Sequence, residues 1–154
     1  MILIRRYVES DAKETWGIFF NTVRTINSRD YSEQQVKAWA SESFDFSIWQ
    51  KRMDSINPFI AEINGVVVGY SDLQSDGFID HFFCHHEYQG MGVGKALMTH
   101  ILNCGSKKNI HRYYSEVSIT AKPFYEHFGF KVVKAQNVKI RGQTLTNYIM
   151  EKIS

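Results

Sequence analysis

The chain has 154 residues, the size of one ordinary domain that can bury its own core without disulfides or a structural metal. Its 18 Lys and Arg against 16 Asp and Glu leave a formal net charge of +2, too small to argue for nucleic acid or an anionic membrane as partner. No run of about 18 apolar residues is present to span a bilayer. With 11 Phe, 8 Tyr and 3 Trp, the chain has more aromatic surface than a minimal core needs, enough to line a ligand pocket.

Cys84 and Cys104 sit in apolar contexts without C-x-x-C spacing, which argues against a disulfide framework or a zinc site and for a reduced, cytoplasmic protein. The start of the sequence turns charged at Arg5 after a short apolar stretch, unlike a secretory signal.

Residues 2–7 read as a strand. Ser10 reads as the N-cap of an amphipathic helix that places Ala12, Trp16, Phe19, Phe20, Val23 and Ile26 on one face. Ser32 with Gln35, and Ser47 with Gln50, carry the spacing of capping boxes, so residues 31–56 are expected as short aromatic helices. Asn64-Gly65 between two apolar runs predicts a type I′ hairpin of residues 59–63 and 66–70. Ser75-Asp76-Gly77 then turns into a third strand running to Cys84. A helix is expected from Gly92, with Gly105 ending it in the left-handed conformation. A strand over 112–118 follows, then a helix from Thr120 to Phe128 stopped by Gly129, and two strands joined at Arg141-Gly142.

Between the third strand and the helix lies Gln89-Gly90-Met91-Gly92-Val93-Gly94-Lys95. Free backbone N–H groups and the positive end of a helix dipole converge there, and glycine lets an anion approach the backbone closely. The spacing rules out two anion-binding patterns. A dinucleotide G-x-G-x-x-G would need glycine at Lys95 or Leu97, and a P-loop would need Gly at Gln89 and Ser or Thr at Ala96. The pattern that fits is Q-x-x-G-x-G, through Gln89, Gly92 and Gly94.

Around this loop and beyond it, the chain resembles the GNAT N-acetyltransferases over nearly its whole length. The strand ending Phe82-Phe83-Cys84 before the glycine signature is similar to that family's, and Ala121-Lys122-Pro123-Phe124-Tyr125-Glu126-His127-Phe128-Gly129-Phe130 resembles its A-x-x-F-Y-x-x-x-G-F motif. The pairs Tyr31-Ser32 and Trp39-Ala40 and the ending Asn147-Tyr148-Ile149-Met150 resemble a bacterial branch of it. The resemblance implies an α/β (α+β) fold: a mixed, mostly antiparallel sheet of about seven strands, splayed between the fourth and fifth and flanked by about four helices, all in one domain. It also implies acetyl-CoA as co-substrate and no metal. Two departures stand out: the family often has proline where His86 stands, and Asn near Ser118.

The resemblance assigns cofactor binding to Phe82, Phe83 and Cys84 through backbone groups freed by the splay, to Gln89, Gly90, Met91, Gly92, Val93, Gly94 and Lys95 around the pyrophosphate, and to Ser118. Tyr125 matches the general-acid position, since a phenol stays protonated at neutral pH. The backbone N–H of Cys84, rather than its thiol, is the expected oxyanion donor. Asp80 shares a strand face with Phe82 and Cys84 under two-residue alternation and is the candidate base, while His81 is expected to point away. Tyr31, Trp39 and Trp49 are the candidates to line the pocket of a small-molecule amine. The pair His85-His86 is not expected to hold a metal, because neighbours on a strand face opposite ways. A homodimer is compatible with the sequence. The competing reading is a non-catalytic acyl-CoA-binding or sensory module on the same fold.

Overall fold

The computed structural model describes residues 1–154. In chain order the elements are β1 (Ile2–Arg6), α1 (Ala12–Thr25), α2 (Glu33–Trp39), α3 (Phe46–Ile56), β2 (Phe59–Ile63), β3 (Val66–Ser71), β4 (Phe78–Ile79), β5 (Phe82–Cys84), α4 (Val93–Lys107), β6 (Arg112–Ser118), α5 (Lys122–His127), β7 (Lys131–Ile140) and β8 (Gln143–Ile153), with 3-10 turns at Glu9–Asp11 and Asn27–Arg29. None of the helices is long and apolar enough to cross a membrane.

The strands form two four-stranded halves, ordered β1-β2-β3-β5 and β4-β6-β8-β7. Asn64 and Gly65 take the positive φ values, 50° and 80°, that a type I′ turn requires. The strand expected from Phe78 to Cys84 is broken at Asp80-His81. Its first piece, β4, runs parallel to β6, and its second, β5, runs antiparallel to β3. The chain thus changes sheet halves at the break, and β5 and the end of β6 diverge into a cleft.

A buried side chain holds the break open. Asp72, fully inaccessible, accepts the backbone N–H groups of Asp80 and His81 at 2.9 and 2.7 Å. These are the donors left without a strand partner where the ladder is interrupted.

Alternation sends the hydrophobic residues of the sheet to two cores. Ile60 and Tyr70 face α1, α2 and α3, with Phe19, Val36, Trp49 and Met53. Phe59, Ala61, Val68, Val117 and Met150 face α4 and α5, with Leu97, Met98, Ile101 and Tyr125.

Three expected helix signals are placed differently. Ser10 does not cap α1: it lies in the preceding 3-10 turn, where Asp11 accepts Val8 N at 2.8 Å and pairs with Arg5. Asp45, not Ser47, caps α3, accepting Ser47 N at 2.8 Å. Gly105 lies inside α4, where a Cβ would fall 2.1 Å from the Tyr113 hydroxyl, so this glycine serves close packing; the left-handed residue after the helix is Asn109 (φ 60°). The Ser32–Gln35 capping box forms as expected.

Candidate active site

Two cavities meet at the splay. One, of about 390 Å³, is lined by the glycine loop, Phe82, Phe83, Cys84, Ser118, Thr120 and the start of α5. The other, of about 360 Å³, opens from the same point toward α1, α2 and β8. Phe82, Phe83, Ser118, Ala121 and Tyr125 border both and form the boundary that the two cavities share.

The glycine loop leaves its backbone N–H groups open at a helix N-terminus. Gly90 and Gly92 adopt φ of 74° and 85°, conformations that cost an L-residue a strained backbone. Gly92 is the N-cap of the 15-residue helix α4, so the dipole of a long helix ends there. No backbone N–H from Gln89 to Lys95 donates to an acceptor in the protein. The exposed side chain of Gln89 ties the loop to the end of β5, donating to the carbonyls of Cys84 (3.0 Å) and His85 (3.2 Å). Gly94 plays another part: a Cβ there would lie 2.9 Å from the Phe124 ring, so it lets α4 pack against α5. Met91 is exposed and lines neither cavity.

Strand pairing determines which backbone groups of β5 are free. The bonds from His85 N to Val68 O (2.8 Å) and from Asp72 N to His81 O (3.3 Å) put Phe83 opposite Tyr70 in a bonded position of the antiparallel ladder. Phe82 and Cys84 are then the unbonded positions, and their N–H and C=O groups point away from β3 toward the splay. The expectation that Phe83 offers free backbone groups is therefore corrected: its polar groups are spent on Tyr70, and its contribution to the site is its ring. The Cys84 carbonyl is taken by Thr22 Oγ1 at 2.8 Å and by Gln89, which leaves the Cys84 N–H as the group available to a ligand. Burial pushes the Cys84 thiol up to about 12, so at neutral pH it is no nucleophile.

Tyr125 is 3% exposed and borders both cavities. Burial raises its hydroxyl above the ordinary phenol range, with the neighbouring Ser115 hydroxyl pulling the other way, so it is a proton donor throughout the physiological range. Its ring is fixed edge-on to Phe82 and Phe130, at centroid separations of 5.9 and 5.0 Å. Ser118 Oγ accepts from Ala121 N (3.0 Å) and Asn27 Nδ2 (3.3 Å), and its own proton remains free to donate. Nearby, Thr120 Oγ1 is buried without a partner, an orphaned hydroxyl on the wall of the first cavity.

Asp80 lines the second cavity and lies 3.8 Å from Arg52 of α3. His81 was expected to point away, but the break in the strand suspends alternation and brings His81 to the same cavity. Its Nδ1 pairs with the buried Tyr70 hydroxyl at 3.1 Å, and burial lowers the ring to about 4, so it is neutral. Tyr31 and Trp39 line this cavity, with the Tyr31 hydroxyl donating to Thr146 O (2.6 Å) and accepting from Ile119 N (2.9 Å). Trp49 does not: it is 3% exposed in the core, its indole N–H held by Ala12 O (3.1 Å) and Thr15 Oγ1 (3.2 Å). His85 and His86 lie just past the end of β5 and stack, with centroids 4.8 Å apart, instead of facing apart. No group of three His, Cys, Asp or Glu side chains is placed to hold a metal ion.

Several site residues left no mark in the sequence. Thr22 and Asn27 reach the cleft from the end of α1 and the turn after it, and helical periodicity reads a Thr at a buried position as core. Asp72, a lone carboxylate after a strand, carries no motif. The one signal available for His81 was the neighbouring Asp80, and it was read through an alternation that the break removes.

A family model described as an acetyltransferase (GNAT) domain matches residues 27–152. The chain is 36% identical over 149 residues to the uncharacterized N-acetyltransferase YafP of Escherichia coli (strain K12), covering 97% of this chain and 94% of that protein. Among solved structures, a GCN5-related N-acetyltransferase from Rhodopseudomonas palustris superposes with a TM-score of 0.93 at 29% identity, covering 99% of this chain and 95% of that one. The yncA protein of Salmonella typhimurium, solved with its cofactor acetyl-CoA, shares the fold with a TM-score of 0.72 at 18% identity, covering 99% and 93%.

Proposed function

The chain belongs to the GNAT acetyltransferase family, and from that premise we propose that it transfers an acetyl group from acetyl-CoA to a primary amine of a small molecule, by direct attack with both substrates bound. The observation that carries the reading is the run of unbonded N–H groups from Gln89 to Lys95 at the N-terminus of α4, beside a cavity lined by Phe82 and Cys84, whose unpaired backbone groups include the Cys84 N–H. Such a run binds a pyrophosphate. The splayed backbone and the orphaned Thr120 hydroxyl suit a polar, extended arm. Two free cysteines, Cys84 and Cys104, support a reducing, cytoplasmic setting.

The five residues shared by the two cavities are where the reaction takes place. The amine nitrogen, entering from the second cavity, attacks the thioester carbonyl: the C–N bond forms and the C–S bond breaks. The Cys84 N–H stabilises the negative charge that develops on the carbonyl oxygen. Tyr125 gives its proton to the departing thiolate. The ammonium loses one proton through water to Asp80 and solvent before the nitrogen attacks, the nitrogen loses a second by the same route after attack, and Tyr125 is reprotonated from solvent.

An acetyl-CoA-dependent thiol-release screen across amine classes tests this. Release that depends on an amine, with the acetylated amine as product, supports it. Tight acetyl-CoA binding with no release for any amine would make the chain an acyl-CoA-binding module instead.

A further inference from the structure

The second cavity has a distinctive chemical make-up. Its walls are the rings of Phe19, Tyr31, Trp39 and Phe83 and the branched side chains of Val138, Ile140 and Leu145. The Trp39 ring meets Phe19, Tyr31 and Phe83 edge-on at centroid separations of 6.5, 5.6 and 6.4 Å. Flat apolar groups pack well against such walls, and a cation is attracted to their faces.

The charges in this cavity all have one sign. Its lining includes the carboxylates of Asp80 and Glu116 and no Lys or Arg. Asp72 lies buried behind the Asp80-His81 backbone. His81 adds no positive charge, since burial keeps it neutral. Arg52 approaches Asp80 from outside at 3.8 Å with its side chain 57% exposed, too loosely to neutralise the site. Glu116 is held by the uncharged Gln136 at 2.6 Å.

A ligand here is favoured if it brings a positive charge and disfavoured if it brings a carboxylate. Away from the junction with the first cavity the walls include Val138, Ile140 and Leu145, so the part of a ligand that lies against them is favoured if it is apolar.

We infer that the acceptor is an amine whose ammonium is carried on an aromatic or branched apolar body and which bears no carboxylate. This rests on the acetyl-transfer reading above and narrows it. The ammonium lies at the junction near Asp80 and Tyr125, and the apolar body lies against Trp39, Tyr31 and Phe19.

Calorimetry on the full chain saturated with CoA tests the inference, with phenethylamine, ethylamine, L-phenylalanine and spermidine as probes and thiol release from acetyl-CoA measured separately for each. Phenethylamine is expected to bind at least about tenfold more tightly than any of the other three. Trp39→Ala is expected to weaken phenethylamine binding about tenfold while CoA affinity is unchanged, and Trp39→Phe to recover part of the loss. Glu116→Gln, at an exposed position that tolerates change, is expected to narrow the preference for phenethylamine over L-phenylalanine. L-phenylalanine or spermidine binding as tightly as phenethylamine, or no binding of phenethylamine at all, would overturn the inference. Phenethylamine binding without thiol release would leave the inference standing and count against the transfer reading.

Discussion

The Asp72 carboxylate and His81 exchange hydrogen bonds through the backbone: Asp72 Oδ1 accepts His81 N at 2.7 Å, and Asp72 N donates to His81 O at 3.3 Å. One residue at the end of β3 thereby holds the chain where it leaves β6 and joins β3, and the divergence of β5 from β6 depends on that grip.

Desolvation raises Asp72 from 3.8 to about 6, opposed by hydrogen bonds from His81 N and the Gln74 side chain, with nearby Asp80 adding to the rise. A carboxyl with a raised folded-state value contributes stability below its unfolded value and loses it as pH rises through the folded value. Wild-type stability relative to Asp72→Asn should therefore fall by on the order of 3 kcal/mol between about pH 4 and pH 6. Asparagine keeps an oxygen for the two backbone donors, whereas Asp72→Ala strands both and should cost about 2 to 4 kcal/mol at any pH in that range. Denaturant unfolding of the three proteins at several pH values measures both effects; parallel stability curves for wild type and Asp72→Asn would remove Asp72 from the titrating groups.

Gly92 has open space around it, with Ile2 Cδ1 at 3.9 Å the nearest atom to a Cβ, and its φ is 85°. Gly92→Asp should fold at a modest cost in backbone strain and place a carboxylate at the N-terminus of α4, where the pyrophosphate is proposed to bind. Acetyl-CoA affinity should drop at least about tenfold by calorimetry. An unchanged dissociation constant in the folded variant would take the loop out of the binding site.

The role proposed for Cys84 belongs to its N–H, so Cys84→Ala should keep most of the acetyl-transfer rate. Its thiol, pushed up to about 12, should resist iodoacetamide at neutral pH. Intact-protein mass spectrometry after incubation with acetyl-CoA should show no acetyl adduct at this residue; a stable one would favour covalent catalysis.

Most of the architecture was legible in the sequence because its signals are local. Asn64-Gly65 sets a hairpin, Ser32 with Gln35 caps a helix, and the glycine spacing around Gly92 separates this loop from dinucleotide and P-loop patterns. What was not legible depends on long-range contacts. The break at Asp80-His81 is made by Asp72, eight and nine residues earlier in the chain, and without it alternation misplaces His81. Trp49 and Trp39 look alike in sequence, yet the Trp49 indole finds Ala12 O and Thr15 across the helical layer and is drawn into the core. Gly105 reads as a helix stop until the Tyr113 ring is seen packed against it.

Tyr125 borders both cavities, and its hydroxyl is the proposed proton source for the leaving thiolate. Phenylalanine keeps the ring against Phe82 and Phe130 and removes only the acid, so steady-state kinetics and acetyl-CoA calorimetry on Tyr125→Phe test the transfer mechanism most directly. The account predicts that kcat falls at least about tenfold while the dissociation constant for acetyl-CoA is nearly unchanged. Weakened acetyl-CoA binding with kcat intact would contradict it and make Tyr125 a binding or packing residue.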